Sequence, residues 1–242
     1  MAYRPRLSHV QYIRHLELES WNNVLVIADL HSPFIKRGYL EHCKKQQDRF
    51  NCERVVFIGD VADNHYSSYH ETDPDGLSAG GELKAGVRQL KEWHANFPGA
   101  KVTIGNHDMM AMRKAFTAGL SKNWIRGLAE VLETPTWDFV DEVIIDGVLY
   151  THGTGQGGER PAFLRALHRR VSCVMGHVHT VANVTWSASA HDKIFGMQVG
   201  CGVDEKAYAF EYGRTYAKKM VVSCGVVLNN GKLPLVIPMD LG

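Results

Sequence analysis

The chain lacks the features that mark several protein classes. Its 242 residues carry a formal net charge of only +1, so no global field attracts nucleic acid or an anionic membrane. No apolar run is long enough to span a membrane, and residues 1–20 lack the apolar core of a secretion signal. These absences favour a globular protein of the cytoplasm.

Cysteine is scarce and scattered. The five cysteines are odd in number and form no CxxC pair, which argues against a disulfide framework and against a zinc ribbon. Free thiols in a reducing cytosol explain them better. Histidine, by contrast, is abundant, with thirteen residues, and the positions of these histidines carry the rest of the argument.

Short buried strands alternate with helices in the first half of the chain. "NVLVIAD", "RVVFIGD" and "AKVTIGNHD" are apolar runs typical of strands inside a sheet. Helical spacing occurs between them, over residues 36–49 and in "GELKAGVRQLKEWHANF", and it resumes in "MMAMRKAF" and "SKNWIRGLAEVL".

The second half is richer in strands. Alternating apolar residues around the Asp-Gly pair at 146–147 predict an antiparallel hairpin, and the tail contains further alternating stretches. We therefore predict an α/β fold in which a two-sheet β-sandwich is flanked by helices. Residues 1–242 form a single domain in this interpretation, with a strand-rich C-terminal part over residues 182–242.

Polar side chains with metal-binding chemistry follow five of the predicted strands. In open α/β sheets, functional groups gather beyond the carboxyl ends of the strands. The residues at these ends are Asp29 and His31; Asp60 and Asp63; Asn106, His107 and Asp108; His152; and His177 and His179. We expect them to meet at one site.

Aspartate, histidine and asparagine without cysteine suit hard or borderline divalent ions, with manganese as the first choice and iron, zinc or magnesium as alternatives. The candidate ligands are too many for one tetrahedral ion, so two ions that share a bridging carboxylate are the simpler interpretation. Two dications outweigh two aspartates and a hydroxide, and the remaining positive charge would attract a phosphate oxyanion.

Five ordered motifs, "DLH", "GDVAD", "GNHD", "THG" and "GHVH", resemble those of the calcineurin-like metallophosphoesterase superfamily. The resemblance covers roughly residues 24–180, and the segment before "GNHD" is similar to bacterial and phage-encoded members. It implies a four-layer fold and hydrolysis of a phosphoester by a metal-bound hydroxide.

The resemblance also implies a role for each candidate. Asp60 would bridge both ions and His107 would face the substrate, hydrogen-bonding a phosphoryl oxygen or protonating the leaving oxygen, with Asp63 as its partner. Asn106 would serve both metal and substrate. One ion would bind Asp29, His31 and His179, and the other would bind Asn106, His152 and His177.

The motifs leave the substrate open. Asn64 and His65 follow Asp63 where protein phosphatases of the superfamily carry Arg-Gly, and "GNHD" replaces their GNHE. Both departures favour a phosphodiesterase or a phosphatase of another substrate. A nuclease or nucleic-acid end-processing phosphatase is the alternative, which near-neutral charge and the lack of a basic, aromatic-rich stripe disfavour. A non-catalytic scaffold ranks last, because it would have lost some of these residues.

Three further interpretations concern residues near the motifs. Asp108 is either a helix cap or a group supporting the metal ligands. Side chains after the second motif would overhang the site, namely His65, Tyr66, Tyr69 and His70. "GTGQGG" at 153–158 matches a dinucleotide fingerprint, but the acid that this fingerprint requires about twenty residues later is missing.

Overall fold

A computed structural model describes residues 23–67, 76–208 and 219–239 of the chain. Tyr69 and His70, and the tail aromatics Phe210, Tyr212 and Tyr216, lie outside these described residues. None of the helices in the described part has the length and apolar character that a membrane crossing requires.

The predicted buried strands form the centre of the first sheet. Its strands are β1 (Val24–Ile27), β2 (Arg54–Phe57), β3 (Lys101–Thr103), β4 (Asp138–Val140), β10 (Ser223–Leu228) and β11 (Leu233–Pro238). Their order across the sheet is β11-β10-β1-β2-β3-β4. The strands β1 to β4 run parallel, so their carboxyl ends share one edge.

The second sheet contains the predicted hairpin. Its strands are β5 (Glu142–Ile145), β6 (Val148–Thr151), β7 (Ser172–Met175), β8 (Ala182–Ala188) and β9 (Lys193–Val199), in the order β5-β6-β7-β9-β8. Asp146 and Gly147 both have positive φ angles, 50° and 73°, as a tight hairpin turn requires. The strands β6 and β7 are parallel, which brings the residues after each of them to the same edge.

Helices cover the outer faces of both sheets. The described helices are α1 (Tyr39–Phe50), α2 (Ala79–Asn96), α3 (Met110–Thr117), α4 (Leu128–Val131), α5 (Pro161–Arg169) and α6 (Glu205–Tyr208). Residues of α1 and α2 bury their apolar faces on the first sheet, and α5 packs on the second. A separate apolar cluster, which includes Val26, Val56 and Val174, fills the space between the sheets. The predicted two-sheet fold with flanking helices is confirmed.

One predicted helix is wrong. The stretch "SKNWIRGLAEVL" divides into a 3-10 turn over Lys122–Trp124 and the one-turn helix α4, with Ile125 and Gly127 in extended conformations between them. Trp124 is 84% exposed, so the apolar residue that suggested a helical face does not pack on the core. The end of the stretch does reach the core, through the buried Leu132 and the neighbouring Val131, so only its N-terminal part departs from the apolar pattern.

Candidate metal centre

The strand ends converge at one edge, where the two sheets meet. Asp29 follows β1, Asp60 follows β2, His152 follows β6 and His177 follows β7. Cys201, after β9, bridges to Asp29 through a backbone pairing, which joins the second sheet to the first at this point. The sheet topology therefore brings together side chains separated by as many as 150 positions in the chain, such as Asp29 and His179.

The predicted ligands form two groups of three. Ligand atoms of Asp29, His31 and His179 lie within 4.8 Å of one another, and those of Asp60, His152 and His177 do likewise. They contain residues that the resemblance assigns to separate ions, and a third group, His31, Asp63 and His107, is equally close. Asn106 joins the second group, because its Oδ1 atom lies 3.0 Å from Nε2 of His152.

Asp60 lies between the two groups. Its Oδ2 atom is 3.0 Å from Nε2 of His152 and 3.7 Å from Nε2 of His31. Its Oδ1 atom accepts a hydrogen bond of 2.8 Å from the main-chain nitrogen of His107. One carboxylate oxygen is thus held by the backbone while the other faces ligands of both groups, which is the geometry that a bridging carboxylate needs.

Hydrogen bonds fix which nitrogen each histidine presents. His152 donates from Nδ1 to the carbonyl oxygen of Ile58 over 2.9 Å, so its Nε2 atom carries the lone pair when the ring is neutral. His31 donates from Nδ1 to Oδ1 of Asp63 over 2.6 Å, and its Nε2 atom faces Asp60. An outer hydrogen bond of this kind is typical of histidines that bind metal.

The backbone at the ligands is unusual. His31, Asp60 and His177 have φ angles of 47°, 47° and 71°, in the left-handed region that non-glycine residues seldom occupy. Such conformations cluster at functional sites, because the surrounding structure must hold them against their intrinsic preference. The three positions are the turns that direct these side chains back over the sheet edge.

Two motif glycines make room for the carboxylates. A Cβ atom at Gly176 would lie 2.0 Å from Oδ1 of Asp29, and one at Gly105 would lie 2.0 Å from Oδ1 of Asp60. Any side chain at either position would displace the carboxylate. The glycines of "GNHD" and "GHVH" are therefore required because a carboxylate lies close to each of them. Their φ angles are not positive, so backbone conformation is not the reason.

The pocket suits divalent cations. Asp29, Asp60 and Asp63 are all buried, and Oδ1 of Asp29 has no hydrogen-bond partner in the part of the chain that the structure describes. A buried carboxylate oxygen without a partner is destabilising unless a cation balances it. An ion beside Asp29 would remove that penalty, so the residues present fit the implied metals.

The histidines respond to this negative charge in different ways. Burial lowers the pKa of His31 and of His177, which favours the neutral ring that binds metal. Burial also acts on His152, but the charges of Asp60 and Asp29 outweigh it and raise the pKa of His152 to about 10. The proton on His152 thus balances the carboxylates, and a metal ion would replace it.

His107 lies beside the ligands without joining either of the two groups above. Its Nδ1 atom donates to the main-chain carbonyl of Asp63 over 2.6 Å and lies 3.4 Å from the Oδ1 atom of the same residue. Burial lowers the pKa of His107, but the hydrogen bond to Asp63 and the charge of Asp60 outweigh burial and raise it to about 9. The predicted contact with Asp63 is present, although the Asp63 carboxylate is closer to His31.

Three residues that the motifs did not assign support the ligand loops. Asp108 accepts hydrogen bonds from the main-chain nitrogens of Ala62 and Gly105 over 3.2 and 2.9 Å, and it does not cap α3, whose N-cap is Met109. Asn64 donates to the carbonyl of His107 over 3.0 Å. Of the two roles predicted for Asp108, the structure therefore shows the second, support of the ligand loops, whereas the position of Asn64 beside Asp63 was its only signal in the sequence.

The third supporting residue is Glu82 on α2. It is buried, and its Oε1 atom accepts a hydrogen bond of 2.7 Å from the main-chain nitrogen of His65. This bond holds the 3-10 turn His65–Ser67, in which Tyr66 is 39% exposed. An acid on the apolar face of a helix was the sequence signal that could have found it.

The family model of the calcineurin-like phosphoesterases matches residues 23–195. The chain belongs to this family. The match covers most of the 242 residues and includes every motif described above. Membership of the calcineurin-like phosphoesterases confirms the family that the five motifs resembled, while the bacterial or phage subtype stays a prediction.

Solved structures resemble the chain at low sequence identity. Vacuolar protein sorting 29 from Cryptosporidium parvum is 13% identical, with 93% of each chain covered and a TM-score of 0.48. A metallophosphoesterase from Sphaerobacter thermophilus is 14% identical, with 91% of this chain and 89% of that chain covered and a TM-score of 0.46. A putative diadenosine tetraphosphatase is 15% identical, covering 91% and 95%, with a TM-score of 0.42. A search of curated proteins gave no match.

Proposed function

We propose that the chain is a dinuclear-metal phosphoesterase that acts on a phosphodiester or a phosphomonoester. Asp29, His31 and His179 hold one ion in this proposal, and Asn106, His152 and His177 hold the other. The observation that carries it is the position of Asp60, whose Oδ2 atom faces His152 at 3.0 Å and His31 at 3.7 Å. A carboxylate that lies between two ligand groups supports the proposal of a pair of ions.

Manganese is the metal we propose first. The donors are carboxylate, amide and imidazole, and no thiol belongs to the groups in the described part of the chain. When bound, the ions supply Lewis-acid chemistry, activating water and offsetting charge on the phosphoryl oxygens.

The protein's own groups would position the substrate and supply a proton. Asn106 lies beside the second ligand group, where its side chain can bind the substrate as well as a metal. His107 is anchored through Nδ1, so Nε2 is the nitrogen that can donate to the leaving oxygen. In the metal-free protein burial lowers the pKa of His107, but the hydrogen bond to Asp63 and the charge of Asp60 outweigh burial and raise it to about 9, and the protonated ring is the form that a general acid requires.

The test combines metal content with hydrolysis. Metals bound to the full-length chain are measured by mass spectrometry, and manganese-loaded protein is assayed on p-nitrophenyl phosphate and on bis(p-nitrophenyl) phosphate. Asp60→Asn should retain less metal and lose activity on the order of a hundredfold or more, because a shared ligand supports both ions.

Asp192→Asn is the matched control, since Asp192 is a surface carboxylate paired with Arg170 and lies apart from the ligand groups. It should behave like the unaltered protein. Manganese binding without hydrolysis of either ester would contradict the proposal and would instead favour a non-catalytic scaffold.

A further inference from the structure

The segment directly after His107 exposes large apolar side chains. We call residues 110–126 the basic arm; it comprises α3, the following loop and the 3-10 turn Lys122–Trp124. Only Met110 in this arm is buried. Trp124, Leu120 and Phe116 are 84%, 52% and 50% exposed. Exposed apolar residues gathered in one segment indicate an interaction surface.

The arm carries charge of one sign. No acid occurs between Asp108 and Glu130, whereas this stretch contains four cations, which are Arg113, Lys114, Lys122 and Arg126. Arg126 approaches Glu130 at 3.8 Å, but both side chains are more than 60% exposed, so this pair contributes little. The sequence of this segment is therefore basic, although the whole chain has a net charge of only +1.

The arm begins at the candidate site. The main-chain nitrogen of Met110 donates to the carbonyl of His107 over 3.1 Å, which ties the start of α3 to the proposed general acid. The helix also lies against the turn His65–Ser67 and against the turn Lys122–Trp124. Eight residues of helix rise about 12 Å, so the arm extends away from the site by a short distance.

We propose that the basic arm binds single-stranded nucleic acid whose scissile phosphodiester lies at the metal centre. Aromatic side chains such as Trp124 and Phe116 stack on bases of any sequence, and cations beside them contact the phosphates. The one-signed charge favours a polyanion over a protein partner. This inference rests on the proposed function and names its substrate class.

Binding is measured separately from cleavage. The anisotropy of a fluorescent phosphorothioate oligothymidylate, which resists hydrolysis, is followed as full-length protein is added. Trp124→Ala should weaken binding about tenfold, the loss typical of one stacked base. Lys122→Ala should reduce the dependence of log Kd on log salt by roughly 0.7, as expected for one phosphate contact on a single strand. Both residues are exposed, so neither substitution should disturb folding.

Trp186→Ala is the matched control. Trp186 is also an exposed tryptophan, 40% accessible on β8, with the Lys193 ammonium 4.6 Å from its ring centroid. Unchanged binding by this variant supports the arm. The proposal is overturned if the unaltered protein binds no oligonucleotide, if Trp124→Ala and Trp186→Ala lose affinity equally, or if the arm only mediates self-association that Trp124→Ala abolishes.

Hydrolysis of bis(p-nitrophenyl) phosphate by the unaltered protein tests the metal centre independently. If the arm binds the oligonucleotide but the ester is not hydrolysed, the result counts against the proposed phosphoesterase and supports nucleic-acid binding by the arm. If the ester is hydrolysed but the oligonucleotide is not bound, the result supports the phosphoesterase and overturns nucleic-acid binding by the arm.

Discussion

His31 donates a hydrogen bond of 2.6 Å from Nδ1 to Oδ1 of Asp63, and both side chains are buried. This contact turns Nε2 of His31 toward Asp60 and makes Asp63 a support for a metal ligand. Asp63 also accepts, through its main-chain carbonyl, the hydrogen bond from His107. One residue therefore connects the proposed ligands to the proposed general acid.

Asp63→Asn should weaken manganese binding by roughly 10- to 100-fold, as is typical when a partner of a metal-binding histidine is lost. Isothermal titration with manganese measures the affinity directly. Activity should recover only in part at saturating manganese, because the ligands themselves remain but His107 loses the Asp63 carboxylate that raises its pKa. A manganese affinity equal to that of the unaltered protein would show that Asp63 does not position His31.

His107→Gln should lower kcat by about 10² to 10⁴ while metal content stays unchanged. The reason is that His107 lies outside both ligand groups and would act on the leaving oxygen. The loss should be larger for an alkyl ester than for a p-nitrophenyl ester, since p-nitrophenolate departs without a proton. Equal losses with both leaving groups would contradict general-acid catalysis by His107.

Gly176→Ala should reduce metal affinity although it removes no ligand, because the new methyl group would occupy space 2.0 Å from Oδ1 of Asp29. Metal content after dialysis measures this effect. Gly157→Ala is the control, since a Cβ atom there meets nothing within 4 Å and Gly157 lies in the loop that follows His152. A Gly176→Ala protein that keeps its full metal content would refute the close approach.

The metal-free protein should lose stability as pH rises above 6.5. The carboxylates raise the pKa values of His107 and His152 from 6.5 to about 9 and about 10, which means that folding favours their protonated forms. This stabilisation is complete below pH 6.5, the pKa of histidine in the unfolded chain. It disappears as pH rises through the pKa values of the two histidines in the folded protein.

Thermal unfolding in the presence of a chelator measures this trend between pH 6.5 and 10. Saturating manganese should reverse it, since metal binding requires neutral imidazole and becomes tighter as protons leave. A melting temperature of the metal-free protein that rises over this interval would contradict the charge balance described here.

The strand-end motifs were readable from sequence because each one is local. A buried strand followed by a turn with Asp, His or Asn is visible within ten residues, as at Asp29 and His31. The order of the five motifs along the chain then indicated the family. Helix α2 was equally legible from the helical spacing of "GELKAGVRQLKEWHANF", and the structure adds its N-cap, Ser78. The roles assigned to the individual ligands stay predictions.

The basic arm was missed for the opposite reason. Its residues are contiguous, but the sequence analysis noted only the helical spacing of "MMAMRKAF" and "SKNWIRGLAEVL" and found no basic, aromatic-rich stripe. The structure leaves Phe116 and Trp124 in solvent. Exposure depends on what lies opposite a face, and no local pattern contains that information.

The sequence by itself determined the strands, the helices between them and the kinds of ligand at each strand end, because these follow from local periodicity and residue chemistry. Only the tertiary structure decided how closely these ligands approach one another. Asp60 meets His152 because the edges of two separate sheets coincide, and Gly105 and Gly176 allow backbone to approach the carboxylates. Such contacts between residues far apart in the chain arise from sheet packing, which no short stretch of sequence specifies.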